Sequence, residues 1–205
     1  EGKPSHDGKW LSYSDLNNHL WLLEMETGEQ KIISTNNHGI DGISWSPDSQ
    51  WISFVQYSYN TFRQIHLYSL ADGSVTELTS DRANSFDPVW HPDGEWLYFL
   101  SDRNFKTLVG SPWGPRQPEP YFDRKMKLFH LSLQKGLRSP FRPDDELVKD
   151  EEEDEDEEET ESKSEQSKEE EQEQGEEEEQ DEETLIAIDL DGIQRRVQEV
   201  PIPAG

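Results

Sequence analysis

SHDGKWLSY at residues 5–13, SPDSQWISF at 46–54 and HPDGEWLYF at 91–99 are three copies of one phrase, an Asp turn followed by an alternating strand. Aligned on Asp7, Asp48 and Asp93, the copies recur at intervals of 41 and 45 residues. A period of that length marks a repeat architecture, and it matches one four-stranded propeller blade per copy.

Each copy begins with Asp-Gly or Asp-Ser, residues that tolerate the tight turn joining two antiparallel strands. Side chains then alternate: Trp10 and Ser12 against Leu11 and Tyr13, Trp51 and Ser53 against Ile52 and Phe54, Trp96 and Tyr98 against Leu97 and Phe99. A period of two predicts strands. LWLLEMETGEQKII at 20–33 and IHLYSLADGSVTEL at 65–78 add a second hairpin to the first two copies, with Gly28 and Gly73 at the tips. One unit therefore reads strand, Asp turn, strand, loop, strand, Gly turn, strand. Such a sheet cannot cover its own apolar face and must stack on neighbours. Three blades fall short of the roughly four to eight of a closed propeller. With no strand expected before the first turn, the sequence reads as a piece of a longer protein.

The composition is divided. Residues 150–183 hold 23 of the 46 acidic residues and, of the 19 bases, only Lys163 and Lys168, so they carry 21 of the 27 net negative charges. The run has almost no apolar side chain to bury, and a disordered insert is predicted. The remaining chain carries the other 6 net negative charges, with no basic footprint for nucleic acid. Cysteine is absent, which excludes disulfides and thiolate chemistry within this sequence. No apolar run is long enough to span a bilayer.

The predicted organisation is all-β: propeller blades over 1–149 (repeats near 4–36, 43–81 and 88–141), the acidic insert at 150–183, and a closing hairpin at 184–205 around Asp191 and Gly192. KLFHLSLQKGLRSPF at 127–141 resumes the strand pattern, with Gly136 at a turn. Between them the third copy carries a long segment with Pro112, Pro115, Pro118 and Pro120, which keep it out of helix and central strand. Long irregular loops in compact domains serve function or stay disordered. Trp113, Arg116, Tyr121 and Arg124 on this loop are the candidate binding residues, Phe122 supplying a further apolar anchor.

No catalytic constellation is legible. His6, His19, His38, His66, His91 and His130 are scattered, and GSPWG at 110–114 does not match G-x-S-x-G. His66 and His130 fall in alternating strands and His91 takes the place of Ser46, positions that predict structural roles. DLDGIQRRVQE at 189–199 has its glycine fourth rather than sixth and an Arg pair opposed to cation binding, so it reads as a turn and not a calcium loop. No catalytic residue, metal ligand or cofactor is expected in this sequence.

The W-S-P-D-x-x-W phrase at 45–51, echoed at 90–96, resembles blades of TolB and dipeptidyl-peptidase type propellers. The succession ISWSPDSQWISF at 43–54, IHLYSLADGSVTELTSDRANSFDPVWHPDGEWLYFLSDRN at 65–104, KLFHLSLQKGLRSPF, and IDLDGIQRRVQEVPIPAG at 188–205 is similar to the tricorn protease family, all but the acidic run being covered. The resemblance implies later blades of a second, larger propeller in a serine peptidase that assembles into homo-oligomers. It also implies peptide substrates filtered toward a catalytic core outside these residues, a cytoplasmic location with the periplasm as alternative, and no nucleic-acid or membrane partner. Two other readings stay open, a TolB-like scaffold for another protein and the propeller of a prolyl-oligopeptidase-like enzyme. Sequence beyond the C-terminal residue would separate them.

Overall fold

The computed structural model describes residues 2–104, 125–143 and 185–203. The described residues form three antiparallel sheets of four strands. The first contains β1 (Gly2–Pro4), β2 (Trp10–Ser14), β3 (His19–Glu24) and β4 (Gln30–Thr35) in sequence order. The middle sheet is β5 (Ile40–Trp45), β6 (Trp51–Tyr57), β7 (Arg63–Ser69) and β8 (Val75–Glu77). The third is β9 (Ser85–Trp90), β10 (Trp96–Ser101), β11 (Lys127–Ser132) and β12 (Val197–Glu199). Each is the meander that the repeat predicts.

The Asp turns set the register through hydrogen bonds local to the phrase. Asp7, Asp48 and Asp93 each accept at Oδ1 from the backbone N–H two residues on, at 3.0, 3.1 and 2.8 Å. Ser5 and Ser46 donate their hydroxyls to the same aspartates at 2.5 Å and accept the N–H of Trp10 and Trp51. His91, in the equivalent place, puts Nδ1 2.8 Å from Asp93 Oδ2. The predicted structural role of His91 is met by one more local pair.

Period-two alternation then delivers two cores. Ile52, Phe54 and Tyr68 of the middle sheet face Leu20 and Leu22 of the first, while Val55, Ile65 and Leu67 face Leu97, Phe99 and Leu131 of the third. These side chains are essentially inaccessible to water, and each full burial contributes about 1.5–3 kcal/mol. The middle sheet is thus covered on both faces. Of the strands at the head of each sheet, β1 adjoins β5 and β5 adjoins β9.

Two expectations need correction. A strand does precede the first turn: β1 pairs with β2 as Gly2↔Tyr13, Lys3↔Ser12 and Pro4↔Leu11. Pro4 hides it in the sequence, yet an edge strand can do without the missing N–H. The hairpin expected at 184–205 does not form. Residues 185–190 run outside any ladder, Gly192 at φ 66° leads into a 3₁₀ turn (Ile193–Arg196), and only Val197–Glu199 pairs, with β11. Burial decides this: Ile188, Leu190 and Ile193 pack into the core between the middle and third sheets, so the segment crosses both instead of folding on itself. Ile186 N–H donates to Asp48 Oδ2 at 2.8 Å and Asp189 N–H to Leu133 O at 2.9 Å. The fourth strand of the third sheet therefore comes from beyond the acidic run, not from 137–141.

The chain divides into two compact units, Glu1–Leu137 with Glu183–Gly205, which carries the sheets, and Arg138–Glu182. In the second, the described residues make a turn in which Arg142 N–H donates to Ser139 O at 3.0 Å and Arg138 Nη2 to Pro143 O at 2.6 Å. The acidic insert predicted at 150–183 lies outside the described residues.

Candidate functional site

In the first and middle sheets the Asp and Gly turns fall at one end, and the β2–β3 and β6–β7 connections at the other. At this second end, between the first and middle sheets, lies a cleft of about 700 Å³. Its walls come from three connections: Asn17 and His19 after β2, Thr35 to His38 after β4, and Tyr57 to Tyr59 after β6. No Asp, Glu, Lys or Arg lines it.

Local hydrogen bonds hold this rim. Asp15 accepts the N–H of Asn17 and His19 at Oδ1, at 2.8 and 2.9 Å, and the Trp21 indole at Oδ2, at 2.9 Å. The His19 backbone N–H, then the indole, hold the Asp15 carboxyl down at about 2. The turn carries Asn18 at φ 63°, a left-handed conformation that asparagine tolerates. Asn36 ties two rims together, donating from Nδ2 to Tyr57 O at 2.7 Å and accepting the His38 N–H at 2.9 Å. Tyr57 is gripped from both sides. His38 meets its ring edge-on at 5.6 Å, and Arg63 Nε donates to its hydroxyl at 3.0 Å. That bond, followed by the fields of Asp41 and Asp87, raises the pKa of Arg63 against the opposing effect of burial.

The inner edge is a second feature. Gly42 and Asp87 share left-handed conformations, φ 59° and 52°, at the irregularities of β5 and β9. A Cβ on Gly42 would come within 2.9 Å of Val55 Cγ2, so the middle sheet requires glycine there. Asp41, Asp87 and Val89 are the exposed residues on these two inner strands.

The loop residues selected from the sequence, Trp113, Arg116, Tyr121 and Arg124, lie outside the described residues, as does most of the β10–β11 connection that carries them. The start of that connection is firmly held: Arg103 donates to Ser101 Oγ and Ser85 Oγ at 2.9 and 3.1 Å and lies over the rings of Phe99 and Phe129. The cleft residues were missed because Asn17, Asn37 and Tyr59 stand in turns, where polar residues serve the turn itself. A signal was present in the doubled asparagines 17–18 and 36–37 and in the Tyr-Ser-Tyr run at 57–59.

His19, His66 and His91 have Asp15, Gln56 and Asp93 as partners, none of them a hydroxyl. His130 is buried, stacked 4.7 Å from Trp96 and 5.8 Å from Tyr98. No three His, Cys, Asp or Glu side chains converge as metal ligands among the described residues. No helix among them is long and apolar enough to cross a membrane.

Comparison with known proteins gives a consistent family. A family model for the tricorn protease second beta propeller domain matches residues 1–205. A Tricorn-like protease C-terminal subunit of Sulfurisphaera tokodaii is 33% identical over 106 residues, covering 50% of this chain and 12% of that protein. Tricorn protease homolog 1 of Streptomyces coelicolor is 33% identical over 105 residues, covering 51% of this chain and 9% of its own length. The chain thus spans about a tenth of the curated relatives it matches. The crystal structure of the tricorn protease superposes with a TM-score of 0.69 at 18% identity, covering the whole chain and 17% of that structure, a likeness of fold.

Proposed function

The chain belongs to the tricorn protease second beta propeller family, and from that membership we propose that it is a non-catalytic propeller segment of a serine peptidase. In this reading it restricts access, admitting extended peptides toward a catalytic core outside these residues and turning folded proteins away. The observation that carries the reading is the family match over 1–205. The adjoining inner strands β1, β5 and β9 support it, because they would form part of the wall of a passage. Exclusion by a narrow passage is steric, so no single side chain need be essential to it.

The test uses the full-length gene product. Peptides of graded length and a folded protein are assayed for hydrolysis with and without a serine-directed inhibitor. Val89, exposed on β9, is then changed to cysteine (Val89→Cys) and coupled to a bulky maleimide; residues 1–205 contain no cysteine, and any cysteine elsewhere in the gene product is first replaced by serine. Coupling is expected to slow hydrolysis of long peptides more than short ones. Full-length protein inert on diverse peptides, or rates unchanged by coupling, would overturn the reading.

A further inference from the structure

The cleft between the first and middle sheets differs from its counterpart one blade on in a way that points to a ligand. Asn17 and Asn60 hold the same place in their turns, each just before a residue of positive φ, Asn18 at 63° and Thr61 at 68°. Asn60 is committed. Its Nδ2 donates to Asp81 O at 2.8 Å, and Arg63 N–H and Asp102 take up Asn84 beside it, so the connections of the middle and third sheets are tied together. Asn17 makes no such tie. The side chains of Asn17, Thr35, Asn37 and Tyr59 form no hydrogen bond to any described residue, though all four line the cleft. Tyr59 is 106% exposed, an aromatic ring with no stacking partner among the described residues.

We propose that this cleft binds an uncharged stretch of extended peptide, reading its main chain with the Asn17 and Asn37 carboxamides and packing one of its side chains on Tyr59. The inference rests on the peptide-access function proposed above and locates one contact for the incoming chain. A carboxamide has a C=O acceptor and an N–H donor side by side, the complement of a peptide group. Walls without Asp, Glu, Lys or Arg suit a neutral ligand, since a peptide carboxylate or ammonium would find no such ion partner in the lining. Tyrosine contributes contact area at low entropic cost and keeps its hydroxyl wet. The volume of about 700 Å³ accommodates a short segment and no folded domain.

The experiment is saturation-transfer NMR on the full chain with two probes, a blocked Ala-Ala-Phe-Ala peptide and maltotetraose. Transfer to the peptide is expected, strongest on the phenyl protons, with at least a tenfold weakening of affinity in Asn17→Ala with Asn37→Ala and separately in Tyr59→Ala. These side chains are exposed and unbonded, so melting temperatures should match the parent chain; the single substitutions Asn17→Ala and Asn37→Ala, and Tyr59→Ser, serve as second probes of the site if a variant melts early. Transfer to maltotetraose alone would make the cleft a saccharide site and overturn the proposal. So would peptide transfer unaffected by the variants, or no transfer to either probe. Loss of the cleft proposal in this way leaves the hydrolysis test untouched, and inert full-length protein with an intact peptide signal would sink the access function while the cleft stands.

Discussion

Trp45 Nε1 donates to Ser12 Oγ at 3.0 Å across the boundary between the first and middle sheets, and to Lys3 O at the same distance. The next boundary repeats the arrangement: Trp90 Nε1 donates to Ser53 Oγ at 3.0 Å and to Ser44 O at 3.3 Å. The tryptophan that ends one sheet's inner strand thus clamps the serine of the sheet before it. Two members of the repeated phrase, read first as marks of turn and strand, are partners in different blades.

Removing the clamp should cost more than its buried surface. Trp45→Phe, which removes both indole bonds, is expected to destabilise the chain by about 1–3 kcal/mol, and Ser12→Ala, which leaves the indole its bond to Lys3 O, by about 0.5–1.5 kcal/mol. A double-mutant cycle in urea should return a coupling of about 0.5–1.5 kcal/mol. Additive losses would show that the indole and the Ser12 hydroxyl are not coupled, the indole relying on Lys3 O alone. The third sheet carries Tyr98 where Ser12 and Ser53 stand, so a neighbour packed on its far side meets a phenol instead of a small hydroxyl acceptor.

Ser49 tests a trade between backbone strain and a contact between blades. It sits at φ 58°, where the other two copies have Gly8 and Gly94, and its hydroxyl accepts the Asp7 N–H at 3.1 Å. Ser49→Ala keeps the strain and loses the bond, so a loss of about 1–2 kcal/mol is expected. Ser49→Gly loses the bond but relieves the strain, and should retain roughly 1 kcal/mol more than the alanine variant. Equal stabilities in denaturant titrations would refute this account.

His66 predicts an acid-sensitive core. Its ring is 4% exposed and stacked on Phe54, and burial pushes its pKa down to about 4. Ser34 donates to Gln56 Oε1 at 2.8 Å, which turns the Gln56 amide nitrogen toward His66 Nδ1 at 3.5 Å. A proton on Nδ1 would set donor against donor. Since the unfolded chain takes up a proton near pH 6.5 and the folded chain only near 4, stability is full above about 6.5 and falls until about 4. The loss should be about 2 kcal/mol by pH 5. His66→Phe should flatten that slope between pH 7 and 5; Phe129 already fills the equivalent register position in the third sheet. A slope unchanged in the variant would assign the acid sensitivity elsewhere.

Deleting 150–183 removes 21 net negative charges from between β11 and β12 in sequence. The strand pair they separate is held by its own register, Phe129↔Glu199 to Leu131↔Val197, and by Ile188, Leu190 and Ile193 in the core. Thermal unfolding is expected to shift by only a few degrees at about 0.15 M salt, where distant charges are screened. A fall of about 10 °C or more would show that the run contributes packing.

Much of the candidate site was illegible for a physical reason. A free turn asparagine and a committed one have the same sequence signature, and only the position of the next connection separates Asn17 from Asn60. Trp113, Arg116, Tyr121 and Arg124, selected for their place in a long loop with apolar anchors, lie outside the described residues.

What the sequence by itself determined is local: the Asp turns, the period-two strands and the repeat, because turn chemistry and alternation act over a few residues. β1 was beyond it, and β12 was expected only as half of a hairpin at 184–205. Each is only three residues long and owes its pairing to a neighbour already in place. Tertiary structure alone decided that 185–190 crosses the middle and third sheets instead of forming half a hairpin, since the burial of Ile188 and Leu190 against residues far along the chain outweighs a ladder between adjacent segments. It also decided that each boundary tryptophan finds its serine some 33 or 37 residues earlier, a pairing that exists only once the blades are stacked.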